Sequence, residues 1–319
     1  MPDGVETSDV PPRAGEAYVE PARATREHRR RRSRRRRKRA YIRSVYFLPS
    51  MATLGNAICG FAAMYVASLG PVSASRDPWT VWLAEHHIVV AVYLIFLAMV
   101  FDALDGRLAR FTRHTTDFGG QLDSLADAIS FGAAPAFIAL HVMKANFPEI
   151  PPMLSRLIAA LAVLYAACAL LRLARFNVSN EHGEQHHFSF LGLPSPGAGG
   201  AVAAWILMQQ HLAGPGWGAG IETFVHFLSR VCLYLLPLLV AGMGLLMVSN
   251  IRYPHLVNRY LRGKRSIGRL LLVLGLVLAV VTWHEITIGL GALAYALSGP
   301  ISWLYARTRT SLPHSAPTP

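Results

Sequence analysis

The stretch DALDGRLARFTRHTTDFGGQLDSLAD, residues 102–127, lies between two apolar segments and decides the class of this chain. Four of its aspartates form two pairs: Asp102 and Asp105 are three residues apart, and Asp123 and Asp127 are four apart. On a helix, either spacing places both carboxylates on one face. Acids are costly at or near the hydrocarbon of a bilayer and occur there when they serve a function. Two such faces meeting across a short loop would form an all-oxygen pocket suited to hard divalent cations.

The composition indicates a membrane protein. Of the 319 residues, 53% are hydrophobic and only 15% are charged, and the mean hydropathy is +0.34. Soluble domains rarely combine these values, whereas polytopic membrane proteins do so routinely. Three cysteines, Cys59, Cys168 and Cys232, fall in apolar stretches at unrelated spacings. That pattern predicts that the cysteines pack in the interior and form neither a disulfide framework nor a metal-binding motif.

Eight apolar segments approach the roughly 20 residues that cross about 30 Å of hydrocarbon. They are 45–69, 87–110, 119–142, 154–177, 196–212, 226–249, 268–283 and 286–305. We therefore predict an all-α integral membrane protein, a polytopic bundle of about eight transmembrane helices. We expect residues 1–44 to form a disordered Arg-rich tail, 45–306 the transmembrane domain and 307–319 a short second tail.

The positive charge is concentrated near the amino terminus, where residues 29–39 read RRRRSRRRRKR. Neither aromatic stacking residues nor a folded nucleic-acid-binding domain accompanies this run. Contact with anionic lipid therefore explains it better than nucleic-acid binding. In the remaining loops, basic residues are much commoner on the side of the amino terminus than on the other side. The positive-inside bias therefore predicts an inner-membrane protein whose amino terminus and acidic stretch are both cytoplasmic.

The acidic stretch resembles the signature of the CDP-alcohol phosphotransferases, membrane enzymes that make phospholipids from CDP-activated precursors. That signature reads Asp-x2-Asp-Gly-x2-Ala-Arg-x8-Gly-x3-Asp-x3-Asp. All eight fixed positions are present, namely Asp102, Asp105, Gly106, Ala109, Arg110, Gly119, Asp123 and Asp127.

The resemblance implies distinct roles for the four acids. Asp102, Asp105 and Asp123 correspond to ligands of two divalent ions, Mg²⁺ or Mn²⁺, which would clamp the two phosphates of a CDP-lipid. Asp127 corresponds to a residue that helps to hold the second ion and accepts the proton of the attacking hydroxyl. General-base action of this kind requires hydrogen-bond reach to that hydroxyl.

The other signature positions imply a binding surface for the CDP-lipid. In the family, the positions that correspond to Gly106 and Ala109 contact the cytidine end of the CDP-lipid. Gly119 would have the same role on the opposing helix. Arg110 would contact the phosphate or the nucleotide. Taken alone, the small residues would indicate close packing between helices, and Arg110 would simply reach to the membrane surface.

Five further stretches resemble the bacterial membrane-embedded CDP-diacylglycerol–serine O-phosphatidyltransferases. They are LPSMATLGNAICGFAAMYVA (48–67), LDSLADAISFGAAPAFIAL (122–140), RLARFNV (172–178), GLPSPGAGG (192–200) and LMVSNIRYP (246–254). The chain departs from the family at Ser50, where asparagine is common, and at Arg113-His114, where Gly-Thr is common. The resemblance implies transfer of a phosphatidyl group from CDP-diacylglycerol to L-serine with release of CMP, by a homodimer in contact with membrane lipids.

Residues outside the signature are candidates for substrate contacts. Serine carries a carboxylate, for which Arg172 and Arg175 would supply a cation, although both also fit as positive-inside anchors. Thr53 and Asn56 lie one helical turn apart and would bond the diphosphate, or else pack as polar residues between helices.

Two alternatives remain open at this point. One is the same transfer to another acceptor, such as inositol phosphate, glycerol phosphate or choline. A divalent-cation transporter is a different class of protein with intramembrane acids. It would distribute those acids over several depths, whereas here they cluster at one depth.

Overall fold

The computed structural model describes residues 51–70, 77–112, 117–181, 192–218, 220–251, 253 and 267–310. The predicted tail at 1–44 and most of the second tail therefore lie outside the described residues. The described part of the chain is built of helices joined by turns and contains no strand. The described residues all belong to one compact unit.

The helices follow the predicted apolar segments in order. They are α1 (Met51–Ala67), α2 (Pro78–Thr112), α3 (Asp117–Asp127), α4 (Ala134–Asn146), α5 (Pro152–Glu181), α6 (Ser195–Ala213), α7 (Glu222–Val248), α8 (Ile267–Thr282) and α9 (His284–Thr310). A π-helical turn, Ala128–Ala133, joins α3 to α4, so these two helices form one continuous rod. Only Trp283 separates α8 from α9, close to the predicted division between the segments 268–283 and 286–305.

Five helical spans are long and apolar enough to cross a membrane. They are Pro78–Leu108, Phe118–Asn146, Pro152–Val178, Glu222–Val248 and His284–Tyr305. Large apolar side chains on their outer faces are exposed, as expected where helices meet lipid. The protein is therefore an all-α polytopic membrane protein, as predicted. The helices α1, α6 and α8 are shorter or less apolar, and their spanning the bilayer stays a prediction.

The largest departure from prediction is the start of α2, which begins at Pro78 rather than near residue 87. Polar residues at 85–87 interrupt the apolar run there, but the helix continues through them. Its first turn is capped by Asp77, whose Oδ2 accepts hydrogen bonds from the Thr80 amide at 3.1 Å and hydroxyl at 2.7 Å. These bonds from Thr80 lower the pKa of Asp77. Pro78 at the first helical position completes a favourable start.

The centre of the bundle is α6, and most of its residues are buried. It packs against α2, α7, α9 and the π-helical turn. The sequence of α6 is rich in glycine and alanine, which allows backbones to approach closely. At Gly199, for example, an added Cβ would lie 3.1 Å from the Cα of Phe131 in the π-helical turn. This close core fixes α3 and the π-helical turn beside α2.

Candidate metal centre

Three aspartates, from α2 and α3, come together on one side of the loop that joins these helices. Asp102 lies on α2, Asp123 lies on α3, and Asp127 is the last residue of α3. One carboxylate oxygen from each lies within 4.8 Å of the others. Asp127 is buried, while Asp102 and Asp123 are half-buried. The two helical faces predicted from the sequence do meet, and they form an all-oxygen cluster.

The fourth predicted acid, Asp105, lies outside this cluster of three. Its side chain is buried, and its Oδ2 accepts a hydrogen bond from the hydroxyl of Thr53 on α1. The structure thus brings three of the four predicted ligands together and sets the fourth against α1. Metal ligation by Asp105 stays a prediction.

Asn56 on α1 contacts the cluster directly. Its Nδ2 donates a hydrogen bond of 3.0 Å to Oδ1 of Asp127. The side chain of Asn56 is fully buried, and its own Oδ1 has no hydrogen-bond partner. The sequence offered Asn56 and Thr53 as contacts of the diphosphate or as polar packing residues between helices, and the structure shows each bonded to an acid of the site. Contact of either residue with the diphosphate stays a prediction. Because one oxygen of Asp127 is engaged by Asn56, its Oδ2 is the oxygen left for other chemistry.

The π-helical turn directly after Asp127 is held from two sides. A π-helical turn widens the helix and takes some backbone carbonyls out of the regular pattern of helical hydrogen bonds. When these carbonyls are buried, they need other hydrogen-bond donors. The Tyr165 hydroxyl donates to the carbonyl of Phe131 at 2.8 Å, and the Ser130 hydroxyl donates to the carbonyl of Asn56 at 2.8 Å. All four of these residues are completely buried. Sequence reasoning missed Ser130 and Tyr165 because no periodic pattern predicts a π-helical turn.

α1 packs directly on this turn at Gly60. A Cβ added there would lie 2.6 Å from the Cα of Ser130 and 2.3 Å from its hydroxyl oxygen. The glycine therefore permits the approach that lets Asn56 and Thr53 reach the acids.

The surface of α2 beside the acids is open at Gly106. This residue is exposed, and a Cβ added to it would meet no described residue within 4 Å. Packing against the described helices therefore does not require a glycine at this position. Gly119 on α3 is half-buried. The side chains of Ala109 and Arg110 lie outside the described residues.

Two arginines of α5 differ in their surroundings. Arg172 is half-buried, and its Nη1 donates a hydrogen bond of 2.6 Å to the hydroxyl of Ser195. Arg175 is exposed and donates to Oδ1 of Asn250 at 3.2 Å. Arg172 is thus bonded to the start of α6, whereas Arg175 lies at the surface. Contact of either arginine with serine stays a prediction.

The donor set fits a hard divalent cation. Among the described side chains, no nitrogen of Lys, Arg or His lies within 4.0 Å of the carboxylates of Asp102, Asp123 or Asp127. An interfacial ion-pair network with Arg107, one of the basic neighbours in sequence, is thus not formed. Three carboxylates this close repel one another unless a cation or protons offset their charge. Oxygen ligands at this density are what Mg²⁺ and Mn²⁺ prefer.

Comparison with known proteins assigns the family. Residues 46–298 match the family model described as CDP-alcohol phosphatidyltransferase. The chain belongs to this family. It is accordingly a membrane transferase of phospholipid biosynthesis, and its aspartate cluster could bind a divalent metal ion.

Several relatives carry a more specific name, CDP-diacylglycerol–serine O-phosphatidyltransferase. The protein of Helicobacter pylori strain 26695 is 30% identical over 264 residues, covering 83% of this chain and 94% of that protein. The Bacillus subtilis protein is 31% identical over 210 residues, covering 66% and 90% respectively. The Methanocaldococcus jannaschii protein is 34% identical over 167 residues, covering 52% and 64%.

Proposed function

We propose that this protein transfers a phosphatidyl group from CDP-diacylglycerol to the hydroxyl of L-serine, giving phosphatidylserine and CMP. The observation that carries the reaction type is the meeting of the Asp102, Asp123 and Asp127 carboxylates in a membrane protein of this family. The names of the relatives support serine as the acceptor.

The metal would be held by Asp102, Asp123 and Asp127, with Asp105 as a further ligand and two Mg²⁺ or Mn²⁺ ions per site. When bound, these ions neutralise the diphosphate and make the phosphorus more electrophilic. The open face of α2 at Gly106 would receive the nucleotide, with Ala109, Arg110 and Gly119 around it. Thr53 would orient Asp105 by its hydrogen bond.

Asp127 is the candidate proton acceptor. Asn56 holds its Oδ1, so Oδ2 would take the proton of the serine hydroxyl. The serine oxygen then bonds to the β-phosphorus, the bond from that phosphorus to the bridging oxygen breaks, and CMP leaves with the bonding electrons. We favour this direct displacement because none of the described Ser, Cys or His residues lies at the cluster as an evident nucleophile.

We further propose the setting of the reaction. The enzyme would lie in the inner membrane with its amino terminus and acidic cluster facing the cytoplasm, where serine and CMP are soluble. Residues 45–306 would form the catalytic domain, flanked by tails at 1–44 and 307–319. A homodimer is the expected assembly, from family resemblance.

A purified-enzyme assay tests this proposal. The protein is incubated with CDP-diacylglycerol, Mn²⁺ or Mg²⁺ and one acceptor at a time, and CMP and lipid products are measured. We expect phosphatidylserine with serine, loss of activity in Asp123→Asn, and retained activity in Asp77→Asn, a matched change at an exposed capping aspartate.

Each other outcome rejects a defined part of the proposal. Absence of CMP with every acceptor would reject the enzyme, and Mn²⁺ uptake into proteoliposomes by such a protein would favour a transporter. CMP released with inositol phosphate, glycerol phosphate or choline but not with serine would reject only the acceptor.

A further inference from the structure

The π-helical turn after Asp127 has a local cause in the proline that follows it. Pro135 is the second residue of α4 and has no amide hydrogen. In a regular α-helix it would leave the carbonyl of Phe131 without a donor, and its ring would clash with that carbonyl. The amide of Ala134 instead donates to the carbonyl of Ile129, five residues earlier in the chain. The helix therefore widens here, and the carbonyl of Phe131 needs a donor from another helix.

This turn decides which face of α3 points toward α2. Hydrogen bonds from residue i to residue i+5 take up one residue more than those of an α-helix, and one residue corresponds to about 100° of rotation. α4 is fixed beyond the turn, because most of its apolar side chains are buried in the bundle. An unbroken α-helix would therefore turn Asp123 and Asp127 away from their present direction, and so away from Asp102.

Two neighbouring helices hold the turn in its wide form. Tyr165 of α5 is completely buried and donates its hydroxyl to the carbonyl of Phe131 at 2.8 Å. α5 also lies close at Gly132, where an added Cβ would be 3.3 Å from the Cβ of Ala169. α6 approaches at Gly199, where an added Cβ would be 3.1 Å from the Cα of Phe131. Tyr165 is thus the donor that the wide turn requires, and the close packing leaves the turn little room to move.

α1 connects the turn to the acidic cluster through a single residue. The Ser130 hydroxyl donates to the main-chain carbonyl of Asn56 at 2.8 Å, and Nδ2 of Asn56 donates to Oδ1 of Asp127 at 3.0 Å. Asn56 and Ser130 are completely buried. Because Ser130 follows Asp127 by three residues, the two bonds close a ring between α1 and the helix that carries the acid. The carboxylate of Asp127 is therefore held by its own backbone on one side and by Asn56 on the other.

We propose that Ser130 and Tyr165 are positioning residues for Asp127. Tyr165 holds the π-helical turn and Ser130 holds Asn56, so that the carboxylate of Asp127 is directed at the metal ion and at the acceptor hydroxyl. The inference rests on the proposed function, because it assumes that Asp127 serves both. Loss of a group that orients a metal ligand by a hydrogen bond typically lowers metal affinity or activity about 10- to 100-fold. Ser130 and Tyr165 act through another residue, so a smaller effect is expected from either.

The test measures Mn²⁺ affinity by electron paramagnetic resonance, kcat by CMP release and stability by chemical unfolding in detergent. Ser130→Ala and Tyr165→Phe each remove one buried hydroxyl from the full-length protein. We expect Mn²⁺ affinity and kcat each to fall about three- to tenfold in both variants, while KM for serine stays unchanged. Asn56→Ala removes the direct bond to Asp127 and should lower both quantities about tenfold or more.

Two matched controls remove the same kind of hydrogen bond elsewhere in the bundle. Ser229→Ala removes a buried hydroxyl that donates to the carbonyl of Gln209, and Tyr253→Phe removes one that donates to the carbonyl of Ala296. Both should lower stability as the changes at the turn do, because each leaves a carbonyl without this donor. Neither should alter Mn²⁺ affinity or kcat, since these acceptors lie on α6 and α9, outside the turn and the acidic cluster.

The outcomes separate positioning from a purely structural role. If Ser130→Ala and Tyr165→Phe lose stability but keep an unchanged Mn²⁺ affinity, the inference is overturned. It is also overturned if Ser229→Ala and Tyr253→Phe lower Mn²⁺ affinity as much as the changes at the turn. Should Tyr165→Phe fail to fold, Ser130→Ala alone decides the question.

The same measurements distinguish this inference from the proposed function. If the unchanged protein releases no CMP with any acceptor, the proposed function fails. A loss of Mn²⁺ affinity confined to Ser130→Ala, Tyr165→Phe and Asn56→Ala would still support the positioning of Asp127 as a metal ligand. If the unchanged protein binds no Mn²⁺, the inference is overturned whatever the activity.

Discussion

Replacing Gly106 by alanine separates a ligand-binding role from a packing role at this position. The residue lies on the exposed face of α2 beside the acidic cluster, and an added Cβ would meet no described residue within 4 Å. The substitution therefore places one methyl group in the space assigned to the nucleotide without a clash with any described residue.

The structure predicts that this substitution leaves the stability of the protein unchanged or slightly higher but lowers its activity. In the absence of any clash, alanine favours the helix over glycine by up to about 1 kcal/mol, so the protein should be as stable as before or slightly more so. Against a bound nucleotide, the methyl group acts as overpacking, which typically costs 1–3 kcal/mol. At about 1.4 kcal/mol per factor of ten, kcat/KM for CDP-diacylglycerol should fall roughly 5- to 150-fold.

The assay measures thermal unfolding and CMP release at varied CDP-diacylglycerol, with saturating serine and metal. Gly242→Ala is the matched control, because a Cβ at that glycine of α7 also meets nothing within 4 Å. It should leave both quantities unchanged. A Gly106→Ala enzyme with normal kcat/KM would refute the reasoning, since it would mean that no substrate approaches this face of α2.

Three other substitutions test the architecture around the cluster. Asp127→Asn should lower kcat by at least about 100-fold in a folded protein, as judged by CMP release and thermal unfolding, and a near-normal rate would remove Asp127 from the role of proton acceptor. Gly60→Ala should destabilise the protein by about 1–3 kcal/mol, because the new Cβ overlaps backbone of Ser130, and an unchanged unfolding transition would contradict that packing. Tyr165→Phe leaves the Phe131 carbonyl without its donor and should lower stability by about 1–3 kcal/mol, measurable by chemical unfolding in detergent; a shift below 0.5 kcal/mol would indicate that water replaces the hydroxyl.

Most of the fold could be predicted from the sequence, because the length of an apolar segment and the spacing of residues on one helical face are local properties of the chain. The order of the helices, the division between α8 and α9 and the meeting of Asp102 with Asp123 and Asp127 all follow from such patterns. The start of α2 was predicted too late, because a hydropathy pattern ends at polar residues while the helix is set by its cap at Asp77.

The support of the site was harder to predict because it depends on contacts distant in sequence. Asn56 and Asp127 are 71 residues apart, and Tyr165 and Phe131 are 34 apart. A polar residue in an apolar helix signals a partner but does not identify it. The sequence therefore left Thr53 and Asn56 as contacts of the diphosphate or as polar packing residues, and it did not show that each has an aspartate as its partner.

The central claim is that the carboxylates of Asp102, Asp123 and Asp127 form a divalent-metal centre. The most direct measurement is Mn²⁺ binding to the purified protein, followed by the electron paramagnetic resonance signal of free Mn²⁺ during titration. We predict saturable binding to the unchanged protein and to Asp77→Asn, with affinity reduced at least about tenfold in Asp123→Asn. Equal Mn²⁺ affinity in the unchanged protein and in Asp123→Asn would contradict the claim.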